Sequence, residues 1–271
     1  MKKLLAVLLA LAMIFIFAAC GSKPAEPAAP ADDAEETVKL IVGFDAEFPP
    51  YGYVADDGSY DGFDLALAKE ACKRLGWEYD ELAINWDYKD NNLEAGDITC
   101  IWNGFTMTGR EGKYAWSEPY VDNSMIVVVK ADSDIQSFDD LEGKTFMAQA
   151  GSSGLQALQE SELGPKVGSI VELPDYMMGF SELDMGTVDA ICIDIGVAKY
   201  QMAAKGAENY RILDGEVDSE QYAVGFKLGN EEMAAQITKV LHEMADDGTM
   251  LEIAKKYEEA GLSVSGLCMI D

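Results

Sequence analysis

From residue 38 onward, short apolar runs alternate with amphipathic stretches, and that alternation leaves few folds open to the chain. Strands buried on both faces read as continuous apolar runs, whereas helices lying on a sheet read as apolar stripes at a period of 3.6 residues. VKLIVGF, residues 38–44, reads as a first strand. Residues 63–75 read as a helix with Phe63, Leu67, Ala71 and Leu75 on one face and Gly76 as its C-terminal stop. A strand is expected over 77–84, a short helix over 88–95, a strand over 99–103 and an unbroken apolar strand over 125–129. The series then restarts. DDLEGK is expected to be a helical turn, TFMAQA a strand, GSSGLQALQESEL a helix, SIVEL a strand, residues 176–185 a helix and VDAICI a strand. A helix over 195–205 and a strand over 221–227 follow, and the tail from Glu231 reads as helical with a break at Asp247-Gly248.

Strands alternating with helices predict an α/β fold, and two successive βαβ series joined by two long strands predict two lobes with two crossing hinge strands. We expect the first lobe to hold residues 37–126 and 223–271, and the second to hold 127–222. Ligands of open α/β sheets collect beyond the C-terminal ends of the strands, so the interlobe cleft is the expected site.

Lys2 and Lys3 precede an apolar run over 4–17 that is followed by Ala18, Ala19 and Cys20. The run is too short for a hydrocarbon core that takes roughly twenty helical residues, so residues 1–19 read as a signal peptide. FAACGS resembles a bacterial lipobox, with Phe17 where Leu is usual, and Cys20 is the expected lipidation site. After Cys20, residues 21–36 hold only Gly, Ser, Lys, Pro, Ala, Asp and Glu, with no large apolar residue, so residues 20–36 read as a lipid-anchored flexible tether. The expected location is the cell surface, on the extracytoplasmic face of the membrane.

With 20 basic and 49 acidic residues the formal net charge is −29, which argues against nucleic acid as a partner. Cys72, Cys100, Cys192 and Cys268 are scattered without C-x-x-C spacing, and we expect core thiols in preference to bridges. His242 is the only histidine in the sequence, which disfavours a His-based metal site or a Ser-His-Asp triad. No metal, no other cofactor and no catalytic residue is expected.

FDAEFPPYGYV, GSYDGFDLALAKEACKRLGW, TGREGKYAWSEPY, LEGKTFMAQAGSSG and VDAICIDIGVA occur in that order along the chain. Together they resemble the extracellular solute-binding proteins of polar amino-acid ABC importers, over essentially residues 38–262. The resemblance implies a two-lobed type II periplasmic-binding-protein fold that closes around a free amino acid and delivers it to importer permease subunits. A monomer is expected.

A zwitterion needs a cation and N–H donors at its carboxylate, an anion and acceptors at its ammonium, and a compartment for its side chain. Arg110 is the expected carboxylate clamp, because its guanidinium offers paired donors. In the family a Thr usually stands three residues before the clamp, whereas Thr108 stands two before Arg110, so a one-residue deletion is read in this loop. Ser152 and Ser153 open a helix, whose N-terminal N–H groups and dipole favour a carboxylate; capping the helix is their plain structural role. Asp194, at the end of a strand, matches the family's ammonium-binding acid, or could cap the helix that follows it. Asn103, Gly104 and Thr106 match the loop that completes the ammonium cage. Phe48 and Trp86 match an aromatic pair flanking the ligand's side chain, with Tyr51 nearby, and Asp45 matches a position that reads a polar or cationic side chain. The ligand class left open is a polar, non-acidic amino acid. Two alternatives stay open: a ligand-sensing partner of a membrane receptor, and a dehydratase-like enzyme on the same scaffold.

Overall fold

The computed structural model describes residues 37–270. The expected signal peptide, the lipidation site Cys20 and the tether lie outside the described residues. The described chain is α/β, built on two main sheets.

In the first sheet the strands run in the order Glu78–Ala83, Lys39–Phe44, Cys100–Ile101, Gly225–Phe226, Ala115–Trp116. The first three are parallel, and Gly225–Phe226 runs antiparallel to both of its neighbours. In the second sheet the order is Ser169–Leu173, Thr145–Gln149, Ala190–Asp194, Val121–Lys130, Tyr210–Ile212, with Asp218–Tyr222 also pairing the long strand Val121–Lys130. A small antiparallel sheet of Glu47–Phe48, Gly52–Val54 and Tyr60–Asp61 follows the first strand.

The helix Phe63–Leu75 forms where the apolar stripe predicts it. Phe63, Leu67 and Ala71 are buried, and the chain leaves the helix through Gly76 in the left-handed region at φ 68°. Cys72, Cys100 and Cys192 are buried free thiols; Cys268, also free, is exposed.

The stretch 221–227, expected as one strand, is two. Asp218–Tyr222 pairs in the second sheet and Gly225–Phe226 in the first, so the apolar Ala223 and Val224 between them are buried where the chain passes from sheet to sheet. Alternation of side chains cannot reveal such a change of partner, because both sheets bury the segment. The small sheet over 47–61 also went unread, since its strands are only two or three residues long.

Candidate functional site

The C-terminal ends of four strands converge. Lys39–Phe44 ends in Asp45 and the turn carrying Phe48, Cys100–Ile101 in the 102–106 loop, Thr145–Gln149 in the 151–153 turn, and Ala190–Asp194 in Asp194 itself. They enclose a cavity of about 10 Å³, and every residue expected to contact a ligand lines it except Asp45. Gln149 lines it as well. Two larger and more open hollows flank it. One, of about 220 Å³, contains Thr108, Glu160, Asp218 and Glu220; the other, of about 300 Å³, contains Lys89, Arg110 and Lys113.

One pole of the cavity is cationic. Arg110 is only 8% exposed and forms no ion pair with any described residue; its Nη1 donates to the Thr106 carbonyl at 3.4 Å, and the guanidinium lies 5.5 Å from the Phe105 ring centre. A buried guanidinium without a counterion is costly, which makes this position receptive to an anion. Ser152 caps the helix Ser153–Glu160 by accepting from the Leu155 N–H at 3.0 Å, so the N-terminal end of that helix faces the same cavity. Lys89, 6% exposed, donates to the Gly151 carbonyl at 2.8 Å and lies over the Trp86 ring. Burial, and after it the charge of Arg110, lowers the Lys89 amine to about 8.

The other pole is anionic. Asp194 makes no capping hydrogen bond; its Oδ1 accepts from Asn123 Nδ2 at 2.9 Å and from the Tyr222 hydroxyl. The same Asn123 Nδ2 donates to Glu220 Oε1 at 2.8 Å. Burial is the main cause that raises both carboxyls above the usual carboxylate range. Between the poles, the Thr106 hydroxyl donates to the Ser153 hydroxyl at 2.9 Å.

Asp45 stands behind the cavity wall. It accepts from the Glu47 N–H at 2.9 Å and from Gln149 Nε2 at 2.5 Å, and burial raises its carboxyl to about 6. Asn103 Oδ1 accepts from the Asp45 N–H at 3.0 Å, while Asn103 Nδ2 is buried with no hydrogen-bond partner among the described residues. Thr108 is turned away: its hydroxyl accepts from the Gln221 N–H at 3.1 Å and faces the flanking hollow that holds Glu220.

Residues 40–260 match the model of the bacterial extracellular solute-binding proteins, family 3. The chain belongs to that family. The L-cystine-binding protein TcyJ of Escherichia coli K12 is 26% identical over 82% of this chain and 84% of its own. The arginine-binding extracellular protein ArtP of Bacillus subtilis is 29% identical over 95% of this chain and 98% of its own. Among solved structures, an ancestral arginine-binding protein bound to glutamine superposes with a TM-score of 0.76 at 30% identity, covering 83% of this chain and 99% of that one. A substrate-binding protein of an ABC uptake transporter from Streptococcus pneumoniae, with bound histidine, gives a TM-score of 0.78 at 31% identity, covering 83% of this chain and 94% of that one.

In this family 3 solute-binding protein, Lys89, Asn123, Gln149, Glu220 and Tyr222 are the parts of the site that sequence reasoning missed. Gln149 carries a local signal, being the last residue of a strand two positions before Gly151 and the two serines. The others come from a short helix and from the strands that enter the second sheet, whose residues give no local sign of facing a cavity.

Proposed function

We propose that this protein is a receptor for a free, polar, non-acidic amino acid, held by a lipid on Cys20 at the outer face of the membrane and supplying an ABC importer. It acts by binding and carries out no reaction. The observation that carries the reading is the buried Arg110 guanidinium, without an ion pair among the described residues, lining one small cavity with the buried Asp194 carboxyl, a charge pattern complementary to a zwitterion.

The geometry supports the following roles. Arg110 and the N-terminal end of the helix after Ser152 take the α-carboxylate; Asp194, Thr106 and the 103–104 backbone take the ammonium; Phe48 and Trp86 flank the side chain. Gln149, backed by Asp45 behind the cavity wall, reads its polar end, where an acidic side chain would meet no cation. A cavity of about 10 Å³ has room for about one water, so an amino acid enters only when the lobes part. Lys89 to Gly151, Gln149 to Asp45 and Thr106 to Ser153 join the two sides in the closed arrangement. Ligand favours closure only through contacts it makes better in the closed form.

The test is a thermal-shift panel of the twenty amino acids and cystine, followed by binding measurements on Arg110→Ala and Asp194→Ala. A ligand present at a hundred times its dissociation constant adds about 2.7 kcal/mol of stability. Both variants should bind at least about 100-fold more weakly, since each loses a charge-assisted contact worth roughly 3 kcal/mol in a desolvated site. Unaltered affinity in both would remove the site assignment, and no shift with any compound would remove the solute class.

A further inference from the structure

Glu220 is the least expected group near the site. It lies on the strand Asp218–Tyr222, is 3% exposed, and forms no ion pair with any described residue. Asp194, also 3% exposed, shares with it a single Asn123 amide nitrogen, so Asp194 Oδ1 and Glu220 Oε1 are at most about 6 Å apart. Among the described residues no cation is paired with either carboxyl; Arg110, which lines the central cavity together with Asp194, is the cation that faces the pair, and it forms no ion pair with it. Tyr222, Tyr51, Tyr176 and Cys192 pack around Asp194, and burial keeps each of them protonated; Ser153 adjoins Glu220, with Glu160 and Asp218 across the flanking hollow. Crowding two buried carboxyls this closely disfavours the doubly ionised pair, which favours one proton shared between them while no ammonium is present.

We propose that Glu220 is a positioning residue that holds this proton with Asp194, and that arrival of the ligand's ammonium at Asp194 expels it to solvent, linking amino-acid capture to pH. The inference rests on the amino-acid reading above. The step balances: a zwitterion enters already carrying its own ammonium protons and the protein loses one proton to solvent; at the acid pair the charge is unchanged because the ammonium replaces the proton, while the ligand's carboxylate is met by Arg110, so the whole site becomes more negative by one unit. Glu220 lines the flanking hollow and not the central cavity, so it acts through Asn123 and Asp194 and not by touching the ligand. Affinity then rises with pH across the range in which the shared proton titrates, and levels off above it.

Titration calorimetry at pH 6.5 in buffers of different ionisation enthalpy tests this, using the compound that gives the largest shift in the panel and has no ionisable side chain near that pH. The wild type should release between about half a proton and one proton per ligand bound, and its affinity should fall by up to about tenfold per pH unit below that range. Glu220→Gln should bind with little or no proton release and a flat pH profile. A wild type that binds without buffer-dependent heat would overturn the inference even if Glu220→Gln failed to fold. A Glu220→Gln protein that releases as much as the wild type would overturn it too. In either case the amino-acid reading would stand, whereas absence of any binding compound would remove both.

Discussion

Replacing Asp64 by Asn should make the folded protein less sensitive to pH. Asp64 sits in the first turn of the helix Phe63–Leu75, fully buried, and its Oδ2 accepts from the Gly104 N–H at 2.6 Å, tying that helix to the site loop. Its Oδ1, with Trp102 Nε1 and the Tyr120 hydroxyl, is buried without a hydrogen-bond partner among the described residues. Burial raises the carboxyl from 3.8 to about 7, and the Gly104 N–H and the adjacent Tyr120 pull it back only in part. Between those values the native state holds a proton that the unfolded chain has released. Stability therefore falls as pH rises through that window, and the loss is complete above the folded value. One pKa unit is worth about 1.4 kcal/mol, and the stretch from pH 5 to pH 8 takes in about two units of the difference, or roughly 3 kcal/mol. Urea unfolding of the ligand-free protein at the two pH values should show the wild type losing about that much more than Asp64→Asn. Some slope remains in the variant, because burial raises Asp45 and Glu220 in the same direction. Asn keeps an oxygen for the Gly104 N–H, so the variant should fold. Equal slopes in the two proteins would refute the reasoning.

Gly104→Ala should lose about 1–3 kcal/mol of stability and weaken binding, because the residue sits at φ +52° and an added Cβ would come within 2.7 Å of Phe48 Cε1; unchanged thermal unfolding would count against it. Ser152→Ala should cost about 1 kcal/mol through loss of the cap on the Leu155 N–H, measured by urea unfolding, and should lower affinity less than Arg110→Ala does. Cys20→Ala should release active binder into the growth medium, measured by fractionating cells; a variant still held on the membrane would argue against the lipid.

Most of the two series of strands and helices could be read from periodicity, and the reason is burial. Runs such as AICID are buried at every position, and the helix Tyr176–Met185 ends at Gly186 in the left-handed region. What periodicity could not supply was pairing across distance. The division of 218–226 between two sheets depends on which partner each half meets, and the small sheet over 47–61 is too short to carry a pattern. The site divides in the same way. Asp194 ends a strand, where open α/β sheets face ligands, whereas Asn103, past the end of its strand, is marked only by its match to the family's loop. Asn123 and Glu220 lie within strands, where an inward polar residue reads as an ordinary exposed one until the neighbouring strand is known.

Those two residues also explain why the site is arranged at a cost to the free protein. Arg110 has no counterion among the described residues, Lys89 is pushed toward neutrality, and Asp194 and Glu220 crowd one amide. Each is destabilising taken alone, since a buried charge is tolerated only when paired. A zwitterion supplies both missing partners at once, an anion for Arg110 and a cation for Asp194, whereas a molecule carrying only one of the two charges leaves the opposite pole unrelieved. On the amino-acid reading proposed above, selectivity for the backbone would come from the opposed poles. On the same reading, choice among amino acids would fall to Gln149 and Asn103, with Asp45 behind them, where the structure presents a donor with no partner among the described residues and a carboxyl already held by a neighbour. A ligand whose side chain brings both an acceptor for Asn103 and a donor for the Asp45 and Gln149 pair, as a terminal amide does, satisfies that end of the site more fully than an apolar chain of equal length.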